Sequence, residues 1–154
     1  VVRADVGDIT FKGGQRVLMV KGKGRDEKDN FVILTDKAYR PIAEYLSERG
    51  CVRQNDPLFV SESNRDRGQR MTTKSISRIA KNNLRKIGLN DRVFTAHSLR
   101  HTTAVSILRG GGTLEDCQLT LRHSNPATTQ IYTAFVDEER RLNRQAEALV
   151  DELF

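Results

Sequence analysis

Apolar residues fall into two periodicities along the chain. Gln15 to Val20 and Asn30 to Leu34 are short and rich in Val, Leu and Ile, which predicts two strands. Between them lies Lys21-Gly22-Lys23-Gly24-Arg25-Asp26-Glu27-Lys28-Asp29, with two glycines and alternating charge. It reads as a hairpin tip, either a solvated turn or one that places a lysine against a ligand. Val1 to Ile9 has the look of a helix end running into a loop. From Thr35 onward the period is helical. Thr35 caps a helix from Asp36 to about Arg49, with Ala38, Ile42 and Leu46 in register, Pro41 tolerable only near the first turn, and Gly50 as its end. Tyr39 and Tyr45 read as packing residues, and Cys51 to Arg70 as irregular chain around Leu58-Phe59-Val60.

Thr72 caps the next helix, which ends at Gly88. Ile76, Ile79, Ala80, Leu84 and Ile87 share one side of it, and Lys74, Arg78, Lys81 and Arg85 the other. A solvated face and a phosphate-tracking face both fit that basic stripe. Thr95 caps a helix that stops at Gly110-Gly111-Gly112, and Thr113 caps one that runs to about Leu121. Asn125-Pro126 starts a third, with Ala127, Ile131 and Phe135 inward and Tyr132 at the margin of that face. Residues 137–154 form an amphipathic tail helix, with Leu142, Ala146, Leu149 and Leu153 along one side. These elements predict a mainly α fold with a small antiparallel β-sheet, an α+β chain.

The length of 154 residues suits a single domain with a real core. Cys51 and Cys117 lack motif spacing, which suggests a reducing cytoplasm rather than a disulfide framework. A net charge of +6 favours an acidic partner, of which nucleic acid is the commonest. The charge is uneven: from Glu62 to Arg92 there are nine Lys/Arg against three acids, and from Asp137 onward six acids against three arginines.

All three histidines lie between His97 and Tyr132, with arginines and one phenol among them. A metal-free site that attacks a phosphodiester needs this set. His97 and Arg100 are three apart and share a helical face; the guanidinium fork fits phosphate oxygens and the imidazole adds a donor. His123 precedes Tyr132 by nine residues, close enough for both to line one cleft. A free phenol has a pKa of about 10 and is a weak nucleophile, so positive groups would have to favour the phenolate. The bland alternatives are a common His-x-x-Arg pair and a core tyrosine. His97 and His101 have the four-residue spacing of a zinc-binding helix, but the acid that would serve as base is absent and Arg100 lies between them. No phosphate loop with Gly-Lys-Ser/Thr is present.

His97-Ser98-Leu99-Arg100-His101 resembles the His-x-Leu-Arg-His motif of tyrosine recombinases, the phage-type integrases. Leu121-Arg122-His123-Ser124 with Thr128-Thr129-Gln130-Ile131-Tyr132 is similar to that family's Leu-Gly-His-Ser and Thr-Thr-x-x-Tyr ending, and Gly22-Lys23-Gly24 with Phe31-Val32-Ile33-Leu34 to its lysine-bearing hairpin. The resemblance covers nearly the whole chain. It implies site-specific DNA strand exchange, integrating or excising a mobile element, without metal or ATP. Tyr132 would form a 3′-phosphotyrosyl link, Arg100 hold the non-bridging oxygens, His97 assist proton transfer and His123 donate to the phosphate. Lys23 would protonate the leaving 5′-oxygen, with Lys21 and Lys28 as rivals, and His101 would be structural. Lys21, Lys74, Arg78, Lys81, Arg85 and Arg122 are candidates for contacting DNA.

Arg122 stands where the family carries glycine. A second arginine of the family would fall a few residues before Val1, and Arg3 comes too late for it. The chain is therefore expected to extend further, with core-binding and arm-binding domains ahead of it, and residues 1–154 alone to cleave poorly. Expected partners are double-stranded DNA at attachment sites, other protomers in a synaptic tetramer, and accessory DNA-bending factors, in the nucleoid of the cytoplasm. The acidic tail helix would either dock on a neighbouring protomer or pack on its own domain. A tyrosine-type DNA topoisomerase and a non-catalytic DNA-binding module remain as alternatives.

Overall fold

A computed structural model describes residues 2–22, 27–122 and 127–144, with the backbone alone described at 127–129 and 144. The fold is mainly α with a three-stranded antiparallel sheet, as the periodicities predict. Length led to the expectation of a single domain; the chain divides into two compact units, Val1–Ile79 and Ala80–Phe154.

The first unit carries strands β1 (Ile9–Lys12), β2 (Gln15–Val20) and β3 (Asn30–Ile33), in that order in the sheet. β1 corrects the expectation of a loop through Ile9. It pairs with β2 from Ile9↔Leu18 to Lys12↔Gln15, which leaves Gly13 and Gly14 as a two-residue turn. Both have positive φ, 57° and 77°, the backbone that suits the right-handed twist of a tight hairpin and that glycine adopts without strain. The hairpin expected between β2 and β3 is present, closed by the pair Val20↔Asn30.

α1 (Asp36–Arg49) packs Tyr39, Ile42 and Leu46 against a core of Ala4, Leu18, Leu34 and Leu58. Ala38 is exposed. Thr35 starts the helix through its carbonyl, which accepts from the Ala38 and Tyr39 amides, and not through its side chain. Pro41 lies inside the helix beyond the first turn; it and Lys37, whose carbonyl it leaves without an amide donor, are both exposed, so water can satisfy that oxygen. Leu58 is fully buried, and its amide donates to the Ala4 carbonyl at 2.9 Å.

α2 (Thr73–Lys86) starts with the Thr72 hydroxyl accepting from the Ser75 amide at 3.1 Å. It ends with Leu89 donating to the Leu84 carbonyl and Gly88 to that of Arg85, Gly88 having φ 85°. Its buried stripe is narrower than the apolar arc: Leu84 is buried, whereas Ile79 and Ile87 are 46% and 71% exposed.

The second unit packs α3 (Ala96–Arg109), α4 (Leu114–Leu121) and α5 (Ala127–Arg144) around Ala104, Leu108, Cys117, Leu121, Tyr132 and Val136. Here the expected phase of α5 is wrong. Ile131 and Phe135 are 70% and 53% exposed, while Tyr132 and Val136 are 6% and 1% exposed. Adjacent residues at the same four-residue spacing form two parallel stripes, and periodicity alone does not choose between them. The choice falls to the surface that α3 and α4 present, and the side chain of Ala127 lies outside the described residues. α5 continues without a break past Asp137, and Leu142, where the tail stripe begins, is 71% exposed. The rest of that stripe lies outside the described residues. No helix among the described residues is long and apolar enough to cross a membrane.

Candidate active site

Local capping orients the first turn of α3. The Thr95 hydroxyl accepts from the His97 amide at 3.2 Å, and the Thr95 amide donates to Ser98 Oγ at 3.0 Å. Ser98 in turn donates to the Val93 carbonyl at 3.1 Å. Lys81 holds the preceding loop, its Nζ donating to the carbonyls of Asp91 at 2.9 Å and Phe94 at 3.2 Å. That ammonium is engaged by the protein's own backbone, so Lys81 stands apart from Lys74, Arg78 and Arg85, which are exposed.

With the turn set, His97 is exposed and Arg100 is half-buried. The Arg100 guanidinium donates to the Leu121 carbonyl, in the last turn of α4. The next residue, Arg122, has φ 54° and ψ 47°. It is the one non-glycine residue with positive φ among those described. A left-handed residue after a helix closes its last carbonyls, and glycine fills that place at the least steric cost. Arg122, where the resemblance has glycine, takes this left-handed conformation at a cost of about 1 kcal/mol. Arg100 thus braces the turn that leads into His123, which itself lies outside the described residues.

Tyr132 comes from α5. Its ring is buried, and its Oη lies 2.5 Å from His101 Nδ1. The two rings meet at 5.2 Å between centroids and 66°, and His101 meets His97 edge-on at 4.7 Å and 90°. Three of the expected residues, His97, Arg100 and Tyr132, are thus gathered at one end of the α3–α4–α5 core. His101 joins Tyr132 to His97. Its spacing from His97 already put both on one helical face; the contact with Tyr132, thirty-one residues away, has no signal in the sequence.

The hairpin belongs to the first unit. Lys23 lies outside the described residues. Lys28, one of its rivals, is clamped between Asp5 at 2.7 Å and Asp8 at 2.5 Å. Asp5 also pairs with Arg70. Burial alone would raise the Asp5 carboxyl, but the Lys28 and Arg70 hydrogen bonds outweigh it and hold the group below the usual carboxylate range. Burial alone would lower Lys28, and the bonds to Asp5 and Asp8 outweigh it in the other direction. Lys28 is therefore a structural cation at the root of the hairpin. Lys21 is half-buried and has interactions of its own, and Arg122 is exposed. Of the two free cysteines, Cys51 is exposed and Cys117 buried; burial pushes the Cys117 thiol up, and its Sγ–H faces the Ala104 carbonyl at 3.5 Å.

Residues 1–139 match the phage integrase family, and the chain belongs to it. A tyrosine recombinase XerC from Pelobacter propionicus is 38% identical over 126 residues, which cover 82% of this chain and 39% of that protein. A tyrosine recombinase XerA from Pyrococcus horikoshii is 31% identical over 134 residues, covering 87% of this chain and 44% of that protein. The chain therefore spans about two fifths of these relatives. Among solved structures, a XerA recombinase superposes with a TM-score of 0.69 at 32% identity, covering 94% of this chain and 50% of that one. A XerH site-specific recombinase bound to its difH substrate before cleavage superposes with a TM-score of 0.69 at 26% identity, covering 94% of this chain and 39% of that one.

Proposed function

We propose that this chain is the catalytic part of a site-specific DNA recombinase that breaks and rejoins strands through a 3′-phosphotyrosyl intermediate. The observation that carries the reading is the Tyr132 phenol joined to an imidazole one residue beyond Arg100, in a chain of the phage integrase family. Tyr132 Oη attacks the scissile phosphorus and displaces the 5′-oxygen, which takes a proton from Lys23. Arg100 leaves the Leu121 carbonyl, or shares it, to fork onto the non-bridging oxygens. His97, exposed at the positive end of α3, and His123 add donors to the same phosphate. The new ester conserves the energy of the broken one, so religation calls for no ATP.

The exposed cations Lys74, Arg78, Arg85 and Arg122, with Lys21, supply contacts to the DNA backbone. Lys81 contributes indirectly, through the loop it holds. Double-stranded DNA as substrate places the protein with the nucleoid in the cytoplasm. Exchange between two sites calls for other protomers in a synaptic tetramer, and accessory bending factors would shape the DNA. Integration or excision of a mobile element is the process we assign.

The test uses the full-length protein and a nicked suicide duplex carrying a candidate attachment site. Wild type traps a covalent adduct; Tyr132→Phe traps none while binding DNA with unchanged affinity. An adduct in the Phe variant would overturn the reading, and loss of DNA binding by an equally folded Phe variant would contradict Tyr132 as nucleophile.

A further inference from the structure

We propose that His101 is a catalytic residue, the group that takes the proton from Tyr132 Oη as this oxygen attacks phosphorus and returns it on religation. The inference rests on the reading of Tyr132 as nucleophile; it gives to His101 the proton transfer that the resemblance assigns to His97, and leaves His97 its phosphate contact.

A phenol becomes a competent nucleophile as its proton leaves, and the acceptor must lie within hydrogen-bond reach. His101 Nδ1 is at 2.5 Å from Oη. Tyr132 is 6% exposed, so bulk water has little access to the phenol. The carboxylates of the three helices are engaged elsewhere or turned outward. Asp116 binds the amide and hydroxyl of Thr113, at the opposite end of α4 from Leu121. Glu139 binds Arg109 through both oxygens, Asp137 pairs with Arg140, and Glu115 and Glu138 are exposed. The Cys117 thiol faces the Ala104 carbonyl. His101 is itself exposed, so a proton it accepts can pass on to solvent.

In the step, Nδ1 is the bare nitrogen and Nε2 carries the hydrogen. The Oη–P bond forms and the P–O5′ bond breaks. The proton of Oη moves to Nδ1, giving an imidazolium, and the leaving 5′-oxygen takes its proton from Lys23. On religation the 5′-hydroxyl attacks, Oη departs, and it recovers the proton from His101. His97, edge-on to His101 at 4.7 Å, keeps in this scheme its role as a donor to the phosphate.

Asparagine separates proton transfer from simple holding. Its amide oxygen can stand where Nδ1 stands and accept the hydrogen bond, but it cannot take the proton. The experiment measures single-turnover cleavage of the nicked duplex by full-length wild type, H101N, H101A and Y132F. We expect H101N and H101A to cleave about 100-fold more slowly than wild type, with unchanged DNA affinity. A duplex with a bridging 5′-sulfur needs no proton on its leaving group. It should restore Lys23→Ala and leave H101N slow. Wild-type cleavage by H101N, or its rescue by the sulfur substrate, overturns the proposal while Y132F remains inert. An adduct in Y132F instead removes the underlying reading and this proposal together.

Discussion

In the helical unit Tyr132 is placed by burial, on a helix whose Val136 is 1% exposed against Ala104, Leu108 and Cys117. In the N-terminal unit the root of the lysine hairpin is placed by charge, with Lys28 between Asp5 and Asp8 and Arg70 beside Asp5. Apolar packing carries no charge to titrate or to be screened by salt. Ion pairs at a half-exposed surface are weaker and titrate. Tyr132, the proposed nucleophile, is therefore held by packing, whereas the root of the hairpin is held by ion pairs that ionic conditions can loosen.

The sharpest way to break this comparison is to cut the packing. Val136→Ala should destabilise the protein by about 2 kcal/mol, through lost transfer energy and the cavity left behind. Phe135→Ala, one residue away and 53% exposed, should cost well under half as much. Urea denaturation of both measures the difference. Equal effects would return α5 to the phase expected from its Ile131 and Phe135 stripe.

Lys28→Met tests the charged frame, with an expected loss of about 1 kcal/mol that shrinks in high salt. The pH dependence has two limbs. Asp5 is depressed in the folded state, so its contribution is present above the unfolded carboxylate value of about 3.9 and is lost as pH falls through the lower folded value. Lys28 is raised, so its contribution is full below the unfolded ammonium value of about 10.4 and is lost as pH rises through the higher folded one. Thermal melts across pH should show both limbs in wild type. In the variant the alkaline limb should vanish and the acid limb shrink, since Arg70 still faces Asp5. The smallest effect is expected at the turn after α4. Arg122→Gly should raise stability by up to about 1 kcal/mol in thermal melting, because glycine adopts φ 54° without steric cost.

Many of the helices, in both units, were legible in the sequence because their signals are local. Thr72, Thr95 and Thr113 cap the helices they were expected to cap, and Gly50 and Gly88 end theirs with positive φ. The expected bounds of α1 are those observed. β1 was missed although Gly13-Gly14 signals a two-residue hairpin, because the residues before it were read as a helix end. Lys28 and Lys81 look like any other basic residue in the sequence. Their partners lie twenty or more and ten or more residues away, at Asp5, Asp8, Asp91 and Phe94.

By itself the sequence determined the family, the order of the elements and the residue types gathered between His97 and Tyr132. Each of those rests on neighbours along the chain: a cap three residues from its amide, an arginine three from a histidine. Only the tertiary structure decided which face of α5 turns inward, which cations serve the protein's own carbonyls and carboxylates, and that His101 meets Tyr132. Those outcomes depend on surfaces brought together from distant stretches, where a rotation by one residue changes which side chain is buried while leaving the pattern of spacing the same.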